Sequence, residues 1–206
     1  MAIRLIVGLE NPGSQYARTR HNVGGIFVAE LAQRFSIPLK TESKFSGRTG
    51  RGMICGHDVR LLIPDTFMNL SGKAVGSIAG FYKIMPQDIL VAHDEMAFEP
   101  GELRLKKAGG INGHNGLRDI VNSLGGSGDF FRLRIGVGHP GDASKVSAFL
   151  TSHTLPDAER EMIYSAWALD DDLLGDLLSG DMQKAMNKLH SSQSKADKDS
   201  KDKQDR

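Results

Sequence analysis

One stretch decides the fold class: Ile3-Arg4-Leu5-Ile6-Val7-Gly8-Leu9-Glu10-Asn11-Pro12-Gly13. Apart from Arg4, its first seven residues are apolar and dominated by Ile, Leu and Val, which is typical of a strand buried on both faces of a sheet. Asn-Pro-Gly is a turn signal that stops such a strand. The stretch therefore predicts a central strand over residues 3–9, with Asn11 just beyond its end.

Helical and strand-like patterns alternate after this strand. The apolar residues of Val23 to Phe35 fall largely on one helical face behind Asn22, which offers a cap, and Ser71 is a plausible cap for a helix through Tyr82. Further strands are predicted at Arg48 to Cys55, Val59 to Ile63, Ile89 to Ala92, Leu103 to Lys107 and Phe131 to Val137, and further helices at Asn115 to Leu124 and in one or two segments after Pro156. We expect an α/β single-domain sandwich with a central mixed β-sheet flanked by helices.

Composition bounds the organisation of the chain. Its 206 residues suit one domain, which we place at residues 1–190, while residues 191–206 alternate Lys with Asp and predict a disordered charged tail. No apolar run approaches the roughly 20 residues of a membrane span, and the first residues enter a strand instead of a secretory signal. The single cysteine, Cys55, fits a reducing compartment. We expect a cytoplasmic protein without membrane contact; the sequence does not fix the oligomeric state, and a monomer is expected.

Charge is unevenly distributed although the net charge is only +1. Residues 1–60 hold nine Lys and Arg against four Asp and Glu, whereas residues 157–182 hold one against eight. A basic face beside the polar loops would steer a polyanion toward one side of the protein. Two solvated surfaces without a partner are the alternative that charge alone leaves open.

Polar residues gather where the predicted strands end. They are Asn11 after the first strand, His21 in Arg20-His21-Asn22, Asn69 in Thr66 to Gly72, Asp94 in His93-Asp94-Glu95, and His114 with Asn115 after the glycine-rich run from Gly109. Ligands of open α/β sheets tend to lie at such strand ends. A histidine can act as a general base near neutral pH when a carboxylate fixes its tautomer, which makes His21 with Asp94 a candidate pair. A helix cap with a solvated histidine is the alternative.

The same motifs resemble bacterial peptidyl-tRNA hydrolases over residues 3–150. The matching motifs are, in chain order, Gly-Leu-x-Asn-Pro-Gly, Arg-His-Asn-x-Gly, Pro-x-Thr-Phe-Met-Asn-Leu-Ser-Gly, His-Asp-Glu, Gly-His-Asn-Gly-Leu-Arg-Asp and Arg-Leu-Arg-Ile-Gly-Val-Gly-His-Pro-Gly. The resemblance implies an esterase that splits the bond between a peptide, or an N-blocked amino acid, and the 3′-terminal ribose of tRNA. Such an enzyme recycles tRNA from prematurely released peptidyl-tRNA.

The resemblance also implies roles for individual residues. His21 would be the base that activates water, Asp94 would orient it, and Asn11 would help to hold the ester. Tyr16, Met68, Asn69, Gly113, His114 and Asn115 would line the site for the peptide and the tRNA acceptor end. Lys106 and Arg134 would clamp the 5′ phosphate of tRNA. Along the two strand-like runs, Arg104 and Lys106, and likewise Arg132 and Arg134, alternate so that each run presents its basic residues on one face.

Other functions receive weaker support from the sequence. Gly136 to Gly141 fits G-x-G-x-x-G, but Pro140-Gly141-Asp142 predicts a turn where a dinucleotide-binding fold needs a helix. Neither a serine nucleophile elbow nor a phosphate-binding loop motif is present. No metal motif supports a site at His93, Asp94, Glu95 and His114, so no metal and no cofactor is expected. A noncatalytic RNA-binding module is the main alternative, and a metal-dependent hydrolase is a third.

Two positions depart from the family pattern. Ala97 stands where an acidic residue often follows His-Asp-Glu-x, which affects loop packing. Ala143 stands where a lysine is frequent after His-Pro-Gly-Asp, which removes one expected phosphate contact. Neither position belongs to the set of His21, Asp94 and the asparagines.

Overall fold

A sheet of seven strands runs through the computed structural model, which describes residues 2–191. The strands are β1 (Leu5–Gly8), β2 (Lys40–Glu42), β3 (Gly47–Ile54), β4 (His57–Pro64), β5 (Ile89–Glu95), β6 (Leu103–Lys107) and β7 (Phe131–Gly136). The helices are α1 (Val23–Arg34), α2 (Ser71–Tyr82), α3 (Asn115–Ser123), α4 (Val146–Thr151), α5 (Asp157–Trp167) and α6 (Asp171–Ser179), and residues 182–191 are also helical.

The strand order β2-β3-β4-β1-β5-β7-β6 mixes parallel and antiparallel pairs. β1 runs parallel to β4 and β5, and β5 runs parallel to β7. β3 is antiparallel to β2 and β4, and β6 is antiparallel to β7. The predicted mixed sheet is confirmed. The carboxyl ends of its four parallel strands lie at one edge, where the polar segments were predicted to meet.

Two apolar clusters pack on opposite faces of the sheet. Alternation along β1 sends Ile6 to a cluster with α1, α5 and α6, and sends Leu5 and Val7 to a cluster with α2 and α3. Trp167 lies in the first cluster, where its indole N–H donates to the Glu30 carboxylate at 2.7 Å. The chain is therefore a three-layer α/β sandwich, as predicted.

Most predicted elements are confirmed to within two residues, and the differences have local causes. β5 continues past Ala92 to Glu95 because His93, Asp94 and Glu95 pair with consecutive residues of β7. The sequence did not predict β2, because its three residues are charged or polar. It did not predict α4 either, because none of the six residues of that helix is buried. The helix at residues 182–191 also lies beyond the predicted ones.

Both predicted side-chain caps are wrong. Asn22 stands at the cap position of α1, but its side chain instead bonds the backbone of Asn11. Ser71 is the first residue of α2, and its hydroxyl donates to the carbonyl of Met68 at 2.8 Å. In both cases a tertiary or preceding-turn partner replaces the free amides of the helix.

The carboxy-terminal end of the described chain is helical up to residue 191. The predicted charged tail therefore lies, apart from Ser191, outside the described residues. No helix within residues 2–191 combines the length and the apolar character needed to cross a membrane.

Candidate active site

The start of α1 lies directly against the sheet because Gly24 has no side chain. A Cβ atom at Gly24 would lie 2.2 Å from the carbonyl oxygen of Ala92 in β5, closer than any side chain permits. The amide of Gly25 donates to the carbonyl of Leu9 at 3.0 Å. This close approach places the turn Arg20–Asn22, which precedes α1, beside the end of β5. The predicted pair His21 and Asp94 is thereby brought into contact.

Two histidines share one oxygen of a buried aspartate. His21 Nδ1 lies 2.8 Å from Asp94 Oδ1, and His114 Nε2 lies 3.0 Å from the same oxygen. His114 caps α3, and its Nδ1 accepts from the amide of Leu117, so its proton is on Nε2. His21 likewise donates from Nδ1 to the carboxylate, which leaves its Nε2 lone pair free to accept a proton. The cap alternative considered for this histidine is not what the structure contains.

The charges of this cluster support one another. Burial lowers the pKa of His21, but the charge of Asp94 and the hydrogen bond to it raise the pKa further, so the net shift is above the ordinary 6.5. Burial raises the pKa of Asp94, but His21 and His114 outweigh it and hold that pKa well below its usual range. Asp94 is thus an anion at neutral pH, suited to stabilise a protonated His21.

His93 is a third histidine in the same neighbourhood, and it stays neutral. Its Nδ1 donates to the backbone carbonyl of Asp94 at 2.7 Å, and its ring meets His114 edge-on at 5.0 Å. Its Nε2 is buried without a hydrogen-bond partner in the described part of the chain. Burial and the neighbouring His114 lower the pKa of His93 to about 3. The ring therefore supports His114 without adding charge beside Asp94.

Neutral burial of His93 predicts a loss of stability in acid. The unfolded chain takes up a proton at His93 near pH 6.5, but the folded protein does so only near pH 3. The stability from a lowered histidine pKa is fully present above 6.5 and is lost as the pH falls toward 3. The loss approaches about 1.4 kcal/mol per pH unit in this window. The measurement is the free energy of unfolding in urea for wild type and His93→Asn between pH 7.5 and 5. As the pH falls, wild type should lose stability relative to the variant. Parallel plots of unfolding free energy against pH would refute a neutral His93.

Asn11 is fixed by neighbours on both sides. Its backbone N–H donates to Asn22 Oδ1 at 2.8 Å, its carbonyl accepts from Asn22 Nδ2 at 2.9 Å, and its side-chain oxygen accepts from the Met68 amide at 2.7 Å. Because the oxygen is used, the amide NH₂ is the group that can donate to a ligand. Consecutive residues of one turn thus carry His21 and hold Asn11.

A cleft of about 240 Å³ opens beside His21 and Asp94. Gly113, His114 and Asn115 line it, and α4 forms part of its wall. Asn11 instead lines an adjacent groove of about 280 Å³, which it shares with Asn22. His21 lines the first hollow and Asn22 lines the second, and the two are consecutive residues of one turn.

Met68, Asn69 and Tyr16 were also predicted to contact the substrate, but within the described part of the chain they are not among the residues that line this cleft. Met68 is buried, and a Cβ atom at Gly116 would lie 2.7 Å from its sulfur, so the first turn of α3 packs against Met68. Asn69 and Asn115 are exposed, and Asn115 Oδ1 accepts from Arg118 at 3.2 Å. Tyr16 is half-buried on the turn Ser14–Tyr16, and its ring makes no ring contact with His21 among the described residues.

The predicted basic face exists, but its members are not equivalent. Arg104 lies opposite Arg134 and Lys106 lies opposite Arg132 across the β6–β7 pair, so all four share one face. Lys106 is exposed. Arg134 is largely buried beside Glu95, and Arg132 is fully buried. Lys106 and Arg134 stand on the diagonal of this strand pair, where side chains start about 7–8 Å apart.

Three residues that received no individual role from the sequence connect the segments of the site. Arg132 donates to the carbonyls of Ala108 and Gly110 and so tethers the glycine-rich loop. Arg20 donates to Glu159 at 2.6 Å and lies over the Phe149 ring, which joins the His21 turn to α5 and α4. Glu95 accepts from Arg134 and Asn112. The sequence feature that could have indicated these roles is their position inside the motifs Arg-His-Asn, His-Asp-Glu and Arg-Leu-Arg.

The cluster of His21, Asp94 and His114 could hold a metal ion by ligand count, since its candidate ligand atoms lie within 4.8 Å of one another. The sequence predicted no metal. The separations of 2.8 and 3.0 Å between ring nitrogens and Asp94 Oδ1 are those of N–H···O hydrogen bonds. A metal there would have to displace both protons, because only a deprotonated nitrogen binds a metal.

Comparison with known proteins identifies the family. The family model described as peptidyl-tRNA hydrolase matches residues 5–198. The chain belongs to the peptidyl-tRNA hydrolase family. It is 54% identical to a peptidyl-tRNA hydrolase of Yersinia enterocolitica, over 92% of this chain and 96% of that one, and 56% identical to one of Edwardsiella ictaluri with the same coverage. The crystal structure of peptidyl-tRNA hydrolase from Acinetobacter baumannii superposes with a TM-score of 0.86 at 49% identity, over 91% of this chain and 94% of that one.

The two departures from the peptidyl-tRNA hydrolase pattern lie outside the histidine cluster. The amide of Ala97 donates to Glu95 Oε1 at 3.1 Å, so this loop is closed by a backbone group. Ala143 begins the exposed turn Ala143–Lys145, just before α4. Neither alanine touches His21 or Asp94 in the described contacts.

Proposed function

We propose that this protein hydrolyses the ester between a peptide, or an N-blocked amino acid, and the 3′-terminal ribose of tRNA. Membership of the peptidyl-tRNA hydrolase family supports this reaction. The observation that carries the mechanism is the contact of His21 Nδ1 with buried Asp94, because it leaves the Nε2 lone pair free to accept a proton from water. We place the enzyme in the cytoplasm, where translation supplies its substrate.

Water is the nucleophile in the proposed reaction. Nε2 of His21 takes a proton from water as the water oxygen bonds to the ester carbonyl carbon, which gives a tetrahedral oxyanion. The Asp94 carboxylate stabilises the imidazolium that forms. When the bond to the ribose oxygen breaks, that oxygen takes the proton from His21, so the products are a free carboxyl group and tRNA. His114 keeps Asp94 in place from the other side.

The asparagines suit the uncharged parts of the substrate. The NH₂ group of Asn11 can donate to the carbonyl oxygen, whose charge grows in the tetrahedral intermediate. Exposed Asn69 and Asn115 can bind peptide and ribose groups without attracting an ion. Buried Met68 supports this region, since its amide donates to Asn11 Oδ1 and its sulfur packs against the first turn of α3.

Lys106 and Arg134 are proposed to bind the 5′ phosphate of the acceptor end. A guanidinium and an ammonium can together meet several phosphate oxygens. Such contacts release counterions and therefore weaken as salt concentration rises.

Removing either cation should weaken tRNA binding more than catalysis. For Lys106→Ala and Arg134→Ala we expect KM to rise about 10-fold at low salt, with the slope of log K against log salt shallower by about one unit. Lys107→Ala is the matched control, because Lys107 is the next residue on β6 and instead lies 3.5 Å from Asp129. Steady-state kinetics between 50 and 300 mM salt measure both quantities. An unchanged slope in both variants would rule out the clamp.

A noncatalytic RNA-binding module would use the same basic face but would give His21 no special role. It predicts tRNA binding without ester cleavage. The buried histidine–carboxylate pair beside an open cleft favours the hydrolase, because a surface that only binds RNA has no use for a group that accepts a proton. A metal-dependent hydrolase predicts loss of activity with a chelator.

A further inference from the structure

Glu95 is a buried carboxylate at the edge of the cleft. It follows Asp94 directly at the end of β5 and is 7% exposed. Its Oε2 accepts from Arg134 Nε at 3.0 Å and from Arg134 Nη2 at 2.9 Å. Its Oε1 accepts from the Ala97 amide, and Oε2 also lies 3.4 Å from Asn112 Nδ2. This carboxylate thus joins the strand of Asp94, Arg134 and the loop before α3.

These contacts fix the orientation of the Arg134 guanidinium. Glu95 engages the edge formed by Nε and Nη2, and the ring of Phe98 lies 4.5 Å from Cζ and covers one face. Within residues 2–191 the remaining N–H groups of the fork have no other hydrogen-bond partner, so they can meet another anion. Because the Glu95 and Arg134 side chains are only 8% and 14% exposed, neither can turn away without leaving the other charge buried and unpaired.

We infer that Glu95 is the positioning residue of the phosphate clamp: it presents Arg134 to the 5′ phosphate and ties that contact to the cleft loop through Asn112. The inference rests on the proposed function. The opposite role would be a mask, in which Glu95 competes with the phosphate for Arg134. A mask would need to release Arg134, but Oε1 is held by the Ala97 amide and Oε2 by Asn112 as well. A carboxylate held at both oxygens orients its partner.

The test compares two substrates that differ only at the 5′ end: N-acetyl-aminoacyl-tRNA with a 5′ phosphate or a 5′ hydroxyl. The wild-type KM should be lower for the phosphorylated tRNA. Glu95→Gln keeps an acceptor oxygen but loses the charge that holds the guanidinium, so we expect its KM for the phosphorylated tRNA to rise roughly 10-fold. Its kcat should stay within about twofold of wild type, and its KM for the two substrates should become nearly equal.

Glu102→Gln is the matched control, because Glu102 pairs with Arg104 at 2.6 Å on the same sheet face and has no contact with the cleft in the described residues. Its kinetics should match wild type. Glu95→Asp keeps the charge but shortens the reach, and should also lose discrimination, so the test survives if Glu95→Gln folds poorly.

Three outcomes would overturn the inference. A lower KM in Glu95→Gln would mean that Glu95 masks Arg134. An equal loss of activity toward both substrates in Glu95→Gln, with kcat reduced, would mean that Glu95 supports the fold or the chemistry. A wild-type enzyme that cleaves both tRNAs with the same KM would refute the clamp and this inference together, while leaving the proposed hydrolysis intact.

Discussion

His21→Ala should lower kcat by about 10²- to 10⁴-fold, the usual contribution of a positioned general base. The variant keeps Asp94 bonded to His114, so the cleft retains its second histidine and its shape. It also leaves Asn11, Lys106 and Arg134 in place, so tRNA should still bind with an affinity close to that of wild type. Single-turnover cleavage of N-acetyl-aminoacyl-tRNA, together with filter binding of deacylated tRNA, separates the two effects.

His57→Ala is the control for this experiment. His57 begins β4, at the sheet edge opposite the cleft, and should be dispensable for cleavage. Full turnover by His21→Ala would show that His21 is not the general base. Loss of both tRNA binding and ester cleavage in His21→Ala would instead indicate damage to the fold.

Asp94→Asn should have the second largest effect, a loss in kcat of about 10²- to 10⁴-fold with little change in KM. An amide can turn its NH₂ toward His21 and so favour the wrong tautomer, and it cannot stabilise the imidazolium by charge. The shared oxygen adds a second consequence, since His114 loses its anionic partner in the same step.

Asp58→Asn is a suitable control because Asp58 pairs with exposed Arg51 on the β3–β4 hairpin. Its kinetics should be unchanged. Retention of more than about a tenth of the kcat by Asp94→Asn would show that Asp94 does little beyond packing.

The fold was largely predictable because the core strands are short apolar runs with clear turn signals. Ile3 to Leu9 and Phe131 to Val137 were found as β1 and β7 for this reason. Lys40–Glu42 could not be found, because a polar edge strand of three residues is created by its partner β3 and not by its own pattern. The Asn22 cap was wrong because tertiary contact with Asn11 outweighs the local preference.

The candidate site was predictable in its membership but not in its connections. Motif positions located His21, Asp94 and His114, but a sequence cannot reveal that both histidines share one carboxylate oxygen. Strand alternation placed Arg132 and Arg134 on one face, but it could not show that the glycine-rich loop covers Arg132. Such burial depends on how loops return over the sheet, which the local pattern does not encode.

The most direct test of the account is the pH dependence of single-turnover cleavage in EDTA, for wild type and Asp94→Asn. The base must be neutral to act, so the wild-type rate should rise with pH through an apparent pKa above 6.5, because Asp94 raises the pKa of His21. In Asp94→Asn the remaining rate should also rise with pH, but through a lower apparent pKa than in wild type. The reason is that burial without the anion lowers the pKa of His21. A wild-type rate abolished by the chelator, or the same pH profile in both proteins, would contradict a water-activating His21 oriented by Asp94.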